Sequence, residues 1–515
     1  MCAFFYCIKM KTAVVFLFLF VLEFSYAQNK NINWCFGDSA GINFSNLNAP
    51  TTFKSAVKSR GSCASISDTA GNLLFYYAYD QSALLGGSLY NGNVYSINNQ
   101  LMVNGDKIVS GAWYYEGLII PIPNETNKYF LFNLGVTENF GLCYSIIDMS
   151  LNNGLGAVTQ KNIQINNLPA NDGLAAAQHG NGRDWWLIFK DNDGVADNTF
   201  YKYLVDTSGV ALADTQNIGS YANTNTIRLK FNKEGTQLAT VNFNGVTDLF
   251  DFDRCTGKLT NYQLIKSFTF PPNAEFVSAE FSSSGRFLYI SSNGYSHPAY
   301  LIQIDLQNPQ LYLAADTIDS ITNLISAGGF LKRGPDDKIY WSCAWIDSIG
   351  TFNYPYPDTP AAYNMYNMNL SVINAPDSLG AACNFTPYSF YLGGARTYWG
   401  LPNNPDYDLG PLKVSPCDTL SVNLTPALSK GEGAMQITYV VAWEKLFVNA
   451  SGLKGKNVTV SIYDGRGSLM FEVQSLKAVN GYFTLDLDCS GWAGGLYVVH
   501  LGTEREVLSK KFIIE

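Results

Sequence analysis

The chain has 515 residues, of which 14% are aromatic and 15% charged, and its net charge at pH 7 is −9. Charged residues make up about 25% of an average protein, and a chain this long exceeds one ordinary domain unless the fold is a large all-β one. Short clusters of Gly, Asn, Ser and Thr favour that exception, because they are typical of turns between short strands. The negative charge repels phosphate backbones and anionic lipid, so we expect neither nucleic acid nor membrane as a partner.

The first 27 residues have the pattern of a cleavable export signal. Lys9 and Lys11 provide the positive start, an apolar run covers Ala13 to Leu22, and the small residue Ala27 ends the segment. A membrane anchor is the weaker interpretation, because spanning a bilayer takes about 20 apolar residues. No later segment is apolar enough to insert. We therefore expect a signal peptide over 1–27 and a mature chain without membrane insertion.

Eight cysteines remain after the signal peptide: Cys35, Cys63, Cys143, Cys255, Cys343, Cys383, Cys417 and Cys489. Export allows disulfides to form, but the pairing cannot be read from the spacing. Buried free thiols explain the same residues equally well. No CxxC pair is present, which argues against a zinc ribbon or a thioredoxin-like site.

A polar turn followed by an aromatic or β-branched strand recurs along residues 28–402. Its anchor positions are 71, 127, 182, 235, 285 and 337, separated by 56, 55, 53, 50 and 52 residues. A period near 50 is typical of four-stranded propeller blades. Six anchors, with a further strand pair over 388–399 that residues 32–44 complete, predict seven blades within a range of six to eight. An array of β-sandwiches is the alternative, but it requires linkers that the sequence lacks.

Several segments of this region resemble a family of secreted Bacteroidota propellers. The resemblance is carried by Trp34–Phe44, Gly61–Asp68, Asn72–Tyr76, Tyr144–Ser150 and Leu379–Phe385. It implies a β-propeller fold and an extracellular location. The family has no established catalytic residues that could be carried over to this chain.

After Pro402 the residue composition changes twice along the chain. Residues 403–439 are punctuated by Pro, Asn and Gly, which predicts a linker. From residue 440 to 515, short apolar strands alternate with glycine-containing turns, which predicts a small Ig-like β-sandwich. This last segment carries equal numbers of basic and acidic side chains, so the acidic excess of the mature chain lies before it.

The terminal module resembles the type A sorting domain of type IX secretion cargo. Ser461–Gly467, Gly494–Val499 and Lys510–Ile513 match that domain in order, although a Pro-Asn-Pro element usual near its start is replaced by Val448–Ala450. The resemblance implies the type IX machinery as a partner, with the signal residues Gly465, Gly467, Gly495, Tyr497, Lys510 and Lys511. A plain adhesive Ig-like domain is the alternative.

Residues 191–197 read Asp-Asn-Asp-Gly-Val-Ala-Asp. Asp191, Asp193 and Asp197 alternate around a glycine turn, as hard cations require, and the pattern resembles the calcium loop of thrombospondin type 3 repeats. Ca²⁺ is therefore the candidate cofactor. A solvated hairpin tip accounts for the same residues.

Two aromatic clusters could present rigid rings to a sugar or protein ligand. The first contains Trp113, Tyr114 and Tyr115, and the second contains Tyr354 and Tyr356. Packing between blades is the alternative role for these rings.

No catalytic residue can be assigned. Gly37–Gly41 has the GxSxG pattern, but that motif needs a strand-to-helix turn, and an all-β chain does not provide one. The three histidines, His179, His297 and His500, lack metal-ligand spacing. We therefore expect a surface or extracellular propeller that acts by binding or adhesion. The alternative is an enzyme that processes extracellular polysaccharide or peptide in the propeller funnel.

Overall fold

The computed structural model describes residues 29–81, 89–111, 114–136, 140–192, 198–221, 226–265, 274–294, 298–310, 315–322, 326–346, 355–412, 415, 417, 434–440, 444–451, 453, 457–464, 468–479, 481–503 and 507–514. The chain divides into two compact units, one up to Leu420 and one from Ser421 to the end. Each unit contains its own buried apolar clusters.

The first unit is a seven-bladed β-propeller, confirming the predicted fold. Its strands form seven antiparallel sheets in chain order. Blade 1 contains β1 (Asn33–Phe36), β2 (Asp38–Asn43) and β3 (Thr51–Lys58), and blade 2 contains β4 (Cys63–Ser67), β5 (Leu73–Tyr79) and β6 (Gly92–Ser96). Blade 3 contains β7 (Gly117–Pro121), β8 (Lys128–Gly135), β9 (Gly141–Asp148) and β10 (Ala157–Gln164). Blade 4 contains β11 (Ala170–Gln178), β12 (Trp185–Asp191), β13 (Thr199–Asp206) and β14 (Gly209–Asn217).

The remaining three blades also have four strands each. Blade 5 contains β15 (Ile227–Phe231), β16 (Gln237–Asn242), β17 (Thr247–Phe252) and β18 (Leu259–Ile265). Blade 6 contains β19 (Phe276–Phe281), β20 (Phe287–Ser292), β21 (Ala299–Asp305) and β22 (Ala315–Ile321). Blade 7 contains β23 (Ser326–Arg333), β24 (Ile339–Trp345), β25 (Asn369–Ile373) and β26 (Phe385–Tyr391).

The recurring turn occupies the same place in six blades. Each anchor lies between the first and second strands of blades 2 to 7, and every one of the six residues has a positive φ: Gly71, Asn127, Gly182, Gly235, Gly285 and Asp337. Because all six turns follow the innermost strand, they lie on one side of the ring, which we call the turn face. The starts of the innermost strands, and the connections between second and third strands, lie on the opposite side, the loop face.

Blade 1 has no such turn because its innermost position is filled by a distant segment. Residues 400 to 404 run parallel to β4: Gly400 N donates to Arg60 O at 2.7 Å, and Asn403 N donates to Cys63 O at 2.8 Å. On the other side, Phe330 N of β23 donates to Trp399 O at 3.0 Å. Residues 33–44 therefore close the ring with a segment from the other end of the propeller, as predicted. That segment is 396–404, because residues 388–391 belong to β26 of blade 7.

We call residues 398–409 the channel segment, because they run through the centre of the ring. The side-chain amide of Asn403 donates to the carbonyls of Tyr115, Gly117 and Leu174 at 3.1, 3.3 and 2.9 Å. Further along, the Tyr407 hydroxyl donates to Ile119 O at 2.9 Å. The predicted linker, 403–439, thus begins inside the propeller unit.

A disulfide fastens the chain beyond the channel segment. Cys417 is bonded to Cys255, which lies in the turn between β17 and β18 on the turn face. The other cysteines among the described residues are buried free thiols: Cys35, Cys63, Cys143, Cys343, Cys383 and Cys489. Both possibilities left open by the sequence are therefore realised.

The second unit is a small β-sandwich. One sheet has the order β27–β28–β31 and the other β30–β29–β32–β33. The strands are β27 (Ala434–Val440), β28 (Lys445–Ser451), β29 (Asn457–Asp464), β30 (Leu469–Lys477), β31 (Phe483–Asp488), β32 (Gly495–Thr503) and β33 (Val507–Ile514). Among the residues that the structure describes, no helix is long and apolar enough to cross a membrane.

Candidate functional site

A groove with a volume of about 300 Å³ opens on the loop face beside blades 1 and 7. It is formed by the β1–β2 turn, one face of β3, the connection between β24 and β25, and the chain after β26. Its lining residues are Asp38, Ser39, Lys54, Lys58, Pro355, Tyr356, Asp358, Tyr363, Gly394, Ala395 and Arg396. The volume is at the lower end of the range for small-molecule sites.

Arg396 forms the wall of the groove. Its guanidinium donates to the Asp38 carboxylate, with Nε 2.7 Å from Oδ2, and to the carbonyls of Pro357 and Ala362 at 3.0 and 3.3 Å. The same group lies 4.1 Å from the ring centre of Tyr363. A buried, charge-assisted pair with this many partners holds a planar group in one orientation, so the wall is rigid.

Lys54 and Lys58 supply free positive charge at the groove. Both side chains are exposed, and they are four residues apart on β3, so they point to the same face of the sheet. In the part of the chain that the structure describes, neither lysine forms an ion pair. Asp38 is held by Arg396, and Asp358 accepts the Tyr363 hydroxyl at 3.0 Å. The groove therefore has two ammonium groups that can meet an anion.

Tyr363 presents the accessible ring of the groove. It is 39% exposed, whereas Tyr356 is 6% exposed. The Tyr356 hydroxyl accepts the Trp345 amide at 3.0 Å, and burial raises its pKa well above the usual value. The sequence predicts Tyr356 as a binding ring, but in the structure this buried ring lies 5.1 Å from the Arg396 guanidinium and supports it. Tyr354 lies outside the described residues. Tyr363 lies seven residues after Tyr356 in the sequence, but nothing local distinguishes its exposed ring.

The other predicted aromatic cluster is covered by protein. Tyr114 is 7% exposed and packs edge-on against Phe330 and Trp399. Tyr115 is 1% exposed, stacks on Phe330, and donates from its hydroxyl to Val277 O at 3.1 Å. The binding hypothesis needed exposed ring faces, which these two residues do not offer. Trp113 lies outside the described residues.

The candidate calcium loop begins at the loop-face end of β12. Asp191 is 5% exposed, and its carboxylate accepts the backbone amide of Thr199 at 3.0 Å. Asp193 and Asp197 lie outside the described residues. Within the described ranges, no group of three or more His, Cys, Asp or Glu side chains is arranged to hold a metal ion.

Two residues of the GxSxG pattern, Asp38 and Ser39, line the groove. No histidine is found among the described residues that line it. Ser39 has a φ of 67° and lines the rim. His179 lies on the turn face, where its Nε2 is 3.0 Å from Cys255 O. His297 falls outside the described residues. A hydroxyl without a neighbouring base is not an activated nucleophile.

The predicted sorting residues lie in the second unit. Tyr497 is 3% exposed, stacks on Phe512, and donates to Ala493 O at 2.7 Å. Lys510 and Lys511 lie on β33, paired in register with Val499 and Val498 of β32, and Gly495 begins that strand with a positive φ. Gly465 and Gly467 lie outside the described residues.

Comparison with protein families gives one match, to the secretion system C-terminal sorting domain, over residues 442–515. No curated protein sequence matches the chain. Similar solved structures include PorZ, a surface component of the type IX secretion system of Porphyromonas gingivalis. It is 10% identical, with a TM-score of 0.33, and the match covers 92% of this chain and 62% of PorZ.

Two further structures have similar scores. The periplasmic gluconolactonase PpgL of Pseudomonas aeruginosa is 10% identical with a TM-score of 0.34, over 78% of this chain and 96% of that one. The Cps50 (Swd1) β-propeller domain of Myceliophteria thermophila is 9% identical with a TM-score of 0.32, over 60% and 92%. The family match, in contrast, covers six of the seven strands of the terminal sandwich, β28 to β33. The protein is therefore a seven-bladed β-propeller that carries a type IX secretion sorting domain at its C-terminus.

Proposed function

We propose that the mature chain acts outside the cell as a binding module for an acidic polysaccharide, held in the groove by Tyr363, Lys54 and Lys58. The sorting domain makes the chain a cargo for export to the cell surface or beyond. In this proposal residues 1–27 are a signal peptide, the source is a Bacteroidota-type bacterium, and the sorting domain contacts the type IX machinery.

The observation that carries the proposal is the combination of one exposed ring with two unpaired ammonium groups in a preformed groove. The apolar face of a sugar ring stacks on an exposed aromatic ring, and ammonium groups bind carboxylates. The groove is locally positive on a chain whose net charge is −9. The positive groups of the groove attract an anionic ligand, and the negative charge of the rest of the chain repels it.

The test is a binding assay on the mature protein with acidic polymers, such as polygalacturonate and alginate, and with neutral polymers, such as dextran. We expect saturable binding of the acidic polymers that weakens as salt is raised. The double variant Lys54→Gln/Lys58→Gln should bind at least about 10-fold more weakly. Lys128→Gln, on the turn face and paired with Glu125, is the matched control and should bind normally. Equal binding by both variants would overturn the proposal.

Export is tested separately by deleting residues 440–515 and following the protein in the cell. We expect the truncated chain to stay in the periplasm. Arrival of that chain at the surface would show that the sandwich is not the export signal.

An enzyme that processes extracellular polysaccharide or peptide is the second candidate. Burial raises the pKa of Asp172 to about 8, and such shifts are typical of catalytic acids. Asp172 is fully buried, however, which places it out of reach of a polymer in this structure. Release of soluble fragments from any polymer tested above, abolished by Asp172→Asn, would favour the enzyme over the binding module.

A further inference from the structure

Four cationic side chains lie close together inside the channel, away from the groove. Arg228 and Lys230 come from β15, and Lys332 and Arg333 come from β23. Arg228 is 4% exposed and Lys332 is 3% exposed. Burial, with neighbouring Lys230, lowers the pKa of Lys332 well below its usual value. The charged form of Lys332 is therefore disfavoured, beside three other basic groups that water screens poorly.

The buried carboxylate of Glu280 already has partners among these groups. Its Oε2 accepts Lys230 Nζ at 2.7 Å and the backbone amide of Arg333 at 2.9 Å, and its Oε1 accepts the amide of Phe281 at 3.1 Å. Asp406 of the channel segment pairs with Arg333 at 3.4 Å. Asp337 also pairs with Arg333, at 3.1 Å, so three carboxylates accompany the four basic side chains in this part of the channel.

Arg228 has no carboxylate partner of its own among the described residues. Its Nη1 donates to Asn403 Oδ1 at 2.6 Å, its guanidinium carbon lies 3.9 Å from the ring centre of Tyr115, and its Nε has no hydrogen-bond partner. Burial raises the pKa of the nearby Asp172 carboxyl to about 8, which disfavours its charged form beside Arg228. Burial of a guanidinium group with no ion pair and with an unpartnered N–H costs free energy, which a bound anion would offset.

A cavity of about 40 Å³ lies against these groups. Its lining includes Arg228, Lys230, Arg333, Asn403, Asn404 and Asp406. A water molecule takes about 30 Å³ of liquid volume, so the cavity holds one water or one ion of similar size. Water would fill the space but would not balance the charge.

We propose that this cavity binds one halide-sized anion, chloride under physiological conditions, between Arg228, Lys230 and Arg333. The anion would offset the excess positive charge and would connect blade 5, blade 7 and the channel segment. This site is independent of the groove and of whatever the groove binds. Its failure would leave the proposed polysaccharide site untouched.

The experiment uses the mature, disulfide-bonded protein. Thermal unfolding in sodium chloride is compared with unfolding in sodium gluconate at equal ionic strength. We expect a saturable rise in Tm of about 4 °C that is specific to chloride and bromide. Arg228→Met should lose this rise, whereas Arg286→Met, whose arginine is surface-exposed and paired with Asp305, should keep it.

A second measurement covers the case in which Arg228→Met does not fold. Crystals of the wild-type protein soaked in bromide should give an anomalous peak in the cavity beside Arg228. A Tm that follows ionic strength alone, or ordered water in the cavity with no bromide peak, would overturn the proposal.

Discussion

The channel and the groove use the same kinds of side chain in opposite ways. In the channel, Asn403, Arg228 and Glu280 are buried, and Asn403 and Glu280 form hydrogen bonds to backbone groups of several blades. In the groove, Lys54 and Lys58 are exposed and have no ion-pair partner among the described residues. The channel chemistry therefore holds the ring together, and the chemistry left available to a polymer lies off the axis.

The largest change in the free energy of unfolding is expected from loss of the Cys255–Cys417 disulfide. It closes a loop of 162 residues and fastens the chain beyond the channel segment, so the chain-entropy model gives about 5 kcal/mol of stabilisation, with measured values commonly about 2–4 kcal/mol. We expect Cys255→Ser to unfold at lower urea concentration and to lose the sensitivity of wild type to dithiothreitol. Equal dithiothreitol sensitivity in the variant would contradict the assignment.

The next effect concerns the channel amide. Asn403→Ala removes the donor for three backbone carbonyls and the acceptor for Arg228, so we expect a loss of about 3 kcal/mol in the free energy of unfolding, measured by urea titration. Asn48→Ala, an exposed asparagine between β2 and β3, is the control and should change it by less than about 0.5 kcal/mol. Similar losses in both would mean that the channel segment does not stabilise the ring.

A third effect depends on pH and concerns the buried acid at the loop-face end of the channel. The folded pKa of Asp172 is raised to about 8, above the unfolded value of about 3.9, so the unfolded state releases its proton first as pH rises. This group therefore lowers stability progressively between about pH 4 and pH 8. Asp172→Asn should gain stability relative to wild type over that range and gain none at pH 4. A constant difference at all pH values would rule out the titration.

The smallest effect on stability is expected in the groove. The lysine double variant should change the free energy of unfolding by less than about 0.5 kcal/mol, because both lysines are exposed. Tyr363→Ala should change it by less than about 1 kcal/mol, because the Tyr363 ring is also exposed. Both should weaken polymer binding, which calorimetry would measure. A groove variant that unfolds the protein would remove the distinction between the two regions.

Much of the fold could be predicted from local pattern. The six turns between first and second strands need a positive φ at one position, and Gly, Asn or Asp occupies that position at the period of a blade. The strand pattern and glycine turns of residues 440–515 likewise predicted a small sandwich, because alternation and turn chemistry are short-range properties. Blade 1 has no such turn residue, since the chain from the other end of the propeller fills its innermost position.

The candidate site was less predictable, because exposure is not a local property. Tyr114, Tyr115 and Tyr356 have the composition of a binding cluster, yet neighbouring blades cover their rings. Tyr363 and the two lysines come together only because β3 and the β24–β25 connection meet across the junction of the first and last blades. A separation of about 300 residues between such partners leaves no periodic signal.

The sequence by itself determined the all-β class, the blade period, the change of module before residue 440 and the sorting pattern, because strand alternation, turn residues and motif order are properties of neighbouring residues. Only the tertiary structure decided that residues 398–409 fill the channel, that Cys255 pairs with Cys417, and which aromatic ring stays exposed. Those outcomes depend on how the ring closes, and closure brings together residues that are far apart in the chain.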